Sequence, residues 1–225
     1  ARLRRPSSVL DKLDRVAALS SPEPDHTTHY SIVDSDGTAV AVTTTLNDWF
    51  GSRVTVPGLG FLLNNEMDDF ASKPGAPNMY GLIQGDANAI APGQRPLSSM
   101  APTIVLKDGK LFLVAGSPGG PRIITTVANV ILGMIDYGLG VKDAVAAPRF
   151  HHQWEPDVLR LEGTGFTAET VKELDAMGYR VERGYNSNTG HQDVWGDAEC
   201  IAVDPATHEP VGASDPRGQG KPAGY

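Results

Sequence analysis

The sequence has few of the residues that staple or metallate a fold. Its 225 residues include one cysteine, Cys200, which excludes an internal disulfide. Cys200 lies in the apolar run Cys200-Ile201-Ala202-Val203, the setting of a buried thiol rather than a nucleophile. Positive charge is also scarce. Nineteen Lys and Arg against 27 Asp and Glu leave a net charge of −8, the wrong sign for a nucleic-acid surface. No apolar stretch approaches the ~18 residues that a membrane helix needs. The basic start Arg2-Leu3-Arg4-Arg5 has no apolar h-region behind it, so it reads as a solvated tail and not as a signal peptide. A metal framework is missing too. His151 and His152 are adjacent rather than four apart on a helix, and no Cys/His pattern surrounds them; packing or hydrogen bonding around Arg149 and Trp154 is expected instead.

What is present suits one layered α/β domain, or a domain with a short appendage. Hydrophobic residues make up 40% of the chain, enough for a core. Residues 1–26 stand apart: a short helical stretch around Val9–Leu19, then the proline-broken Ser20-Ser21-Pro22-Glu23-Pro24-Asp25, which reads as an extended linker. From Thr28 the pattern is globular. Three strand–turn–strand signatures recur: Tyr30–Val33 with Ala39–Thr43, Thr103–Leu106 with Leu111–Ala115, and Ala198–Val203 with Val211–Ser214. Their Asp-Gly and polar turns predict antiparallel hairpins rather than a string of βαβ units. Helices are expected over Pro121–Tyr137, with an apolar face of Ile124, Val127, Val130, Ile131 and Ile135, and over Lys142–Ala147 and Thr167–Met177, the last capped by Thr167. Hairpins covered by helices give an α+β sandwich.

Four groups of residues could carry chemistry. Thr27 and Thr28 enter the first strand. A threonine hydroxyl needs a base to become a nucleophile, and cleavage before Thr27 would supply one, its own α-amino group, with an ordinary pKa of about 7.7–8.0. Without cleavage both are ordinary strand residues. The loop Gly116-Ser117-Pro118-Gly119-Gly120 follows a strand and opens a helix, so its amides could hold an oxyanion; a plain strand-to-helix turn fits as well. No Gly-Lys-Ser/Thr follows, which argues against a phosphate loop. Asn64-Asn65-Glu66-Met67-Asp68-Asp69 could grip an ammonium or form a solvated turn. Ser98-Ser99 offers two hydroxyls in a turn. The Gly/Pro-rich segment Ser72–Pro96 is too long for an ordinary connector and reads as a lid or binding loop.

Together these segments resemble the small, catalytic subunit of the γ-glutamyltranspeptidases, N-terminal-nucleophile hydrolases. The resemblance runs from Thr27 to the end and rests on Thr27-Thr28-His29-Tyr30-Ser31, Leu63 to Phe70, Arg95-Pro96-Leu97-Ser98-Ser99-Met100, Gly116 to Gly120, Ala147 to Gln153 and Ser214-Asp215-Pro216-Arg217. Residues 1–26 look like the tail of the large subunit, and 27–225 like the small one. The resemblance implies a four-layered αββα fold, self-cleavage at His26–Thr27, and Thr27 as nucleophile. It assigns Thr45 to the nucleophile's hydrogen bond, Gly119 and Gly120 to the oxyanion, and Asn47, Glu66 and Asp69 to the substrate α-amino group. Glu66 is a glutamine in some members. Ser98 and Ser99 fall on the α-carboxylate side, and Tyr80 on a lid loop that only some members have. The implied reaction is γ-glutamyl hydrolysis and transfer, with glutathione and other γ-glutamyl amides as donors and amino acids or peptides as acceptors. No metal or organic cofactor is implied. The implied partner is a large subunit from the same precursor, and the implied location is periplasmic or secreted. The bulk of the large subunit is not in this chain; the family's carboxylate-binding arginine belongs there, so no arginine here takes its role. A glutaryl-type β-lactam acylase of the same superfamily, and an uncleaved inactive precursor, are the alternatives.

Overall fold

A computed structural model describes residues 27–163, 165–183, 195–204 and 207–224. The helical stretch and linker expected within residues 1–26 lie outside them.

The first hairpin pairs β1 (Thr28–Val33) with β2 (Ala39–Thr44), in a register that sets Thr28 opposite Thr44 and Val33 opposite Ala39. Its turn is held by the Asp34 carboxylate, which accepts the amides of Asp36 and Thr38. The second hairpin joins β3 (Thr103–Lys107) to β4 (Lys110–Ala115). Asp108 and Gly109 both take positive φ there, as a two-residue hairpin turn requires. The third joins β8 (Glu199–Val203) to β9 (Pro210–Ser214), and β4 pairs with β8 to give one four-stranded antiparallel sheet, β3-β4-β8-β9.

Two helices cover one face of that sheet. A 3-10 turn over Gly120–Arg122 leads into α1 (Ile123–Ile135), and α2 (Val141–Ala146) follows. Their inward residues Val130, Val141, Ala144 and Val145 meet Leu113, Ala115, Cys200, Ala202 and Ala213 of the sheet, and Ala198 just ahead of β8. Each such Val or Leu contributes about 1.5–3 kcal/mol when fully buried. The buried stripe of α1 runs through Ile123, Val127 and Val130, whereas Ile124 and Ile135, expected inside, are exposed. An i, i+4, i+7 set starting at 123 and one starting at 124 are both apolar, and only packing against the sheet chooses between them. Cys200 is buried as expected, and burial pushes its thiol up to about 12.

The β1–β2 hairpin packs on the other face, so the layers run helices, sheet, second sheet. Strand alternation turns His29 and Ser31 inward and leaves Tyr30 and Ile32 exposed. The chain is α+β, but not wholly antiparallel. β6 (Leu159–Leu161) pairs antiparallel with β5 (Phe150–His151) and parallel with β7 (Val181–Arg183), through α3 (Ala168–Ala176). This one βαβ unit corrects the all-hairpin reading; its three-residue strands are too short to show alternation. Thr167 caps α3 as expected, its hydroxyl accepting from the Thr170 amide.

A buried charge network closes the domain. Arg149, 1% exposed, donates to the Asp215 carboxylate at 2.5 Å and to the Trp195 and Val145 carbonyls. Asp215 also accepts the Ala198 amide, and Arg217 pairs with both Asp215 and Glu162. His151 and His152 divide between different partners: His151 bonds Thr125 and Gln153, while His152 bonds Asp157 and the Trp154 amide. Among the described residues, no cluster of three or more His, Cys, Asp or Glu is arranged to hold a metal. No helix among them is long and apolar enough to cross a membrane.

Candidate active site

Thr27 stands just ahead of β1, with the parity of His29 and Ser31, and so faces the interior between the sheets. Its hydroxyl donates to the Thr45 hydroxyl at 3.1 Å. Thr45 stands just past β2 and also accepts the Asn47 amide at 2.9 Å. Asn47 is 6% exposed and held at φ 75°, a left-handed conformation that asparagine tolerates better than most residues. Its side-chain amide donates to the Asn65 carbonyl at 3.2 Å, and the Asn65 side-chain oxygen accepts the Asp48 amide at 2.8 Å. The chain is thereby bent from the second strand towards the acidic segment.

That segment is a 3-10 turn, Glu66–Asp69, with Glu66, Asp68 and Asp69 close together. Burial, and then the neighbouring Glu66 and Asp68 charges, raise the Asp69 carboxyl to about 6. The Asp69 carbonyl accepts the Asn88 side-chain amide at 2.7 Å, and the Asn88 oxygen accepts the Leu97 amide at 2.9 Å. Asn88 thus ties the acidic turn to the Ser98-Ser99 segment. Ser98 accepts the Met100 amide at 3.2 Å. Among the described residues no hydrogen bond joins either serine hydroxyl to Thr27 or to the acidic side chains.

The long Gly/Pro segment folds back against Asn47 and the glycine loop. Tyr80 donates its phenol to the Asn47 carbonyl, and its ring lies within 3.5 Å of where a Gly120 side chain would start. Gly119 and Gly120 take φ of 140° and 55°, both in the region open chiefly to glycine. Their amides donate to no other described residue. The loop is braced from behind: Gly196 packs 3.3 Å from the place of a Gly119 side chain, and Ser117 accepts the Asp197 amide at 2.9 Å and donates to the Pro118 carbonyl at 2.6 Å.

Direct contacts therefore link Thr27, Thr45, Asn47, Tyr80 and Gly120; Glu66 and Asp69 join them through Asn65, and Ser98 and Ser99 through Asn88. The sequence motifs contain Asn65, Ser117 and His29 but give them no role of their own, and Asn88 and Gly196 lie outside those motifs. For His29 the signal was there: strand parity puts it on the face of Thr27. The arrangement offers a hydroxyl held by a second hydroxyl, glycine amides that donate to no other described residue, and carboxylates tied to the same strand end through Asn65.

The chain is similar over most of its length to proteins of known family. The family model described as Gamma-glutamyltranspeptidase matches residues 4–225. A glutathione hydrolase proenzyme of Escherichia coli K12 is 54% identical over 213 residues, 95% of this chain and 34% of the relative. The chain thus spans about a third of the length of such curated relatives. A solved γ-glutamyltranspeptidase of Helicobacter pylori, in mutant form, superposes with a TM-score of 0.76 at 54% identity, covering 84% of this chain and 99% of that one. An acivicin-inhibited γ-glutamyltranspeptidase matches with the same TM-score and identity, covering 84% and 98%; the C-terminus of that enzyme has critical roles in autoprocessing and catalysis. This chain belongs to the γ-glutamyltranspeptidase family.

Proposed function

We propose that residues 27–225 form the catalytic subunit of an enzyme that transfers and hydrolyses γ-glutamyl groups, and that residues 1–26 are the tail of its large subunit. The partner is the remainder of the precursor, corresponding to the length of the relatives that this chain does not match. The exposed apolar side chains Tyr30, Ile32, Phe50, Leu59 and Phe61 are suitable surface for it. Export to the periplasm or beyond fits the same reading.

In this reading cleavage of the His26–Thr27 bond frees the Thr27 amine. That amine takes the hydroxyl proton as Thr27 Oγ1 attacks the γ-carbonyl of glutathione or another γ-glutamyl amide. Thr45, which accepts from the Thr27 hydroxyl before the attack, turns its own hydroxyl to donate to Oγ1 as the amine takes the proton, and so holds the attacking oxygen in line. The carbonyl oxygen becomes an oxyanion and accepts from the amides of Gly119 and Gly120, each worth about 3 kcal/mol in such a role. The amine then passes the proton to the leaving nitrogen, the C–N bond breaks, and a γ-glutamyl ester remains on Thr27. Water releases glutamate; an amino acid or peptide amine gives a new γ-glutamyl amide. Glu66, Asp69 and the Asn47 side chain hold the substrate ammonium, Ser98 and Ser99 its carboxylate, and Tyr80 closes the cleft. Every step uses protein groups and substrate, with no cofactor.

The observation that carries this reading is the continuous line from the Thr27 hydroxyl through Thr45 to Asn47, roofed by Tyr80 against Gly120. Carboxylates beside it favour an ammonium-bearing γ-glutamyl donor over a glutaryl group, which has no α-amine. The test uses the full-length precursor. Intact mass should show a fragment beginning at Thr27, and a γ-glutamyl anilide should turn over far faster than a glutaryl anilide. An uncut, silent precursor would sink the reading; preference for the glutaryl compound would make it an acylase.

A further inference from the structure

We infer that His29 is a positioning residue for the proposed reaction: a neutral imidazole that holds the Gly116–Gly120 loop against the strand carrying Thr27. The inference rests on that reaction for its purpose and on independent contacts for its geometry. The imidazole is 5% exposed. It occupies the space where any side chain at position 116 would be, since a Cβ there would stand 2.1 Å from Cε1, 2.3 Å from Nδ1 and 2.6 Å from Nε2. Gly116 is therefore glycine because His29 is under it, and the loop starts at a height set by the ring.

The hydrogen bonds fix the tautomer of the neutral ring. The Ser31 hydroxyl gives its one proton to the Glu199 carbonyl at 2.8 Å, so towards Nε2, at 3.1 Å, it can only accept. Nε2 thus carries a proton, and in the neutral ring Nδ1 is the acceptor, taking the Thr43 hydroxyl proton at 2.8 Å. The Glu199 amide in turn donates to the Gly116 carbonyl at 3.0 Å. The circuit runs from β1 through His29 and Ser31 to β8, and from β8 back to the loop. Thr43 and His29 each lie two residues from a hydroxyl of the Thr27–Thr45 pair, so the circuit joins the nucleophile's two strands to the loop bearing the oxyanion donors. Burial lowers the imidazole to about 4, which keeps it neutral while the enzyme works.

A role in positioning differs from a role in packing alone by its coupling to position 116. In the full-length precursor, His29→Ala should lower kcat for a γ-glutamyl anilide at least tenfold, with KM within about twofold of wild type. Gly116→Ala should be more damaging, because its methyl collides with the ring. The double variant should regain at least fivefold over Gly116→Ala, since the methyl then enters the space the ring has left. An equal cost of Gly116→Ala in the His29→Ala background and in the wild type would overturn the inference, as would an unchanged kcat in His29→Ala. Where variants fail to self-cleave, amide exchange on the uncut chain replaces kinetics. The Asp197 and Glu199 amides, which bond to the loop, should exchange at least tenfold faster in His29→Ala, while the Val171 amide of α3 stays unchanged. Equal acceleration of all three, or of none, would overturn it. A wild-type enzyme silent on the γ-glutamyl anilide, with the exchange pattern as expected, would instead sink the proposed reaction and leave the His29–Gly116 coupling standing.

Discussion

Tyr80 hydrogen-bonds the backbone carbonyl of Asn47, 33 positions away, and in doing so lays its ring over Gly120. One side chain thus ties the Gly/Pro-rich segment to the turn after Thr45 and to the glycine loop at once. Tyr80→Phe keeps the ring and removes the bond, a net loss of about 1 kcal/mol. KM for a γ-glutamyl anilide is expected to rise about fivefold with kcat little changed. Steady-state kinetics check this; an unchanged KM would mean that the segment is not a lid.

The threonine pair makes a sharper prediction. Thr27→Ala should abolish both self-cleavage and turnover. Thr45→Val keeps the shape but leaves the Thr27 hydroxyl and the Asn47 amide without their shared acceptor. A loss of about 3 kcal/mol, or roughly a hundredfold in kcat, is expected. Turnover retained in Thr27→Ala would end the nucleophile assignment.

Asp69 should give the enzyme an acid limb. Burial, with Glu66 and Asp68 nearby, raises its carboxyl to about 6. In the proposed reaction the charged form holds the ammonium, so kcat/KM for a γ-glutamyl donor should climb as pH rises through about 6, below the further rise that comes as the Thr27 amine loses its proton at about 7.7–8.0. Asp69→Asn should flatten that limb and weaken γ-glutamyl binding much more than glutaryl binding. A limb that survives the substitution would come from another group.

Acid should also loosen the fold. His29 and His151 are each lowered by burial to about 4, against an unfolded value of about 6.5. The neutral rings are the folded form, so the unfolded chain binds more protons between those values. Stability from both is complete above about 6.5 and is lost as pH falls towards 4. The urea midpoint should fall between pH 7 and pH 5, and His29→Gln should shrink the difference. An identical difference in the variant would place the acid sensitivity elsewhere.

The brace behind the loop is testable through Gly196. It takes φ 79°, and a Cβ there would stand 2.6 Å from Ser117 Oγ and 2.8 Å from Thr126 Oγ1. Gly196→Ala should therefore disturb the loop that Ser117 anchors, lowering both melting temperature and kcat. A variant with wild-type values in both would show that the loop does not depend on this contact.

Much of this architecture was legible one segment at a time. Asp108-Gly109 announces a hairpin because both residues tolerate positive φ, and Thr167 announces α3 because its hydroxyl meets an early helix amide. The order of a strand, a glycine loop and a helix around Gly116–Gly120 was readable in the same way, as was the burial of Cys200. These features depend on neighbours within a few positions, and the amino-acid sequence by itself determines them.

Relationships between distant segments were decided only by the tertiary structure. Two apolar stripes were available to α1, and packing on the sheet selected the one through Ile123. The parallel pairing of β6 with β7 depends on where α3 lies, and three-residue strands carry too little pattern to reveal it. Arg149 meets Asp215 across 66 positions, and His29 fills the place of a side chain that Gly116 lacks. Composition and spacing hold no record of such contacts, because each follows from how the layers stack and from the exclusion of one atom by another.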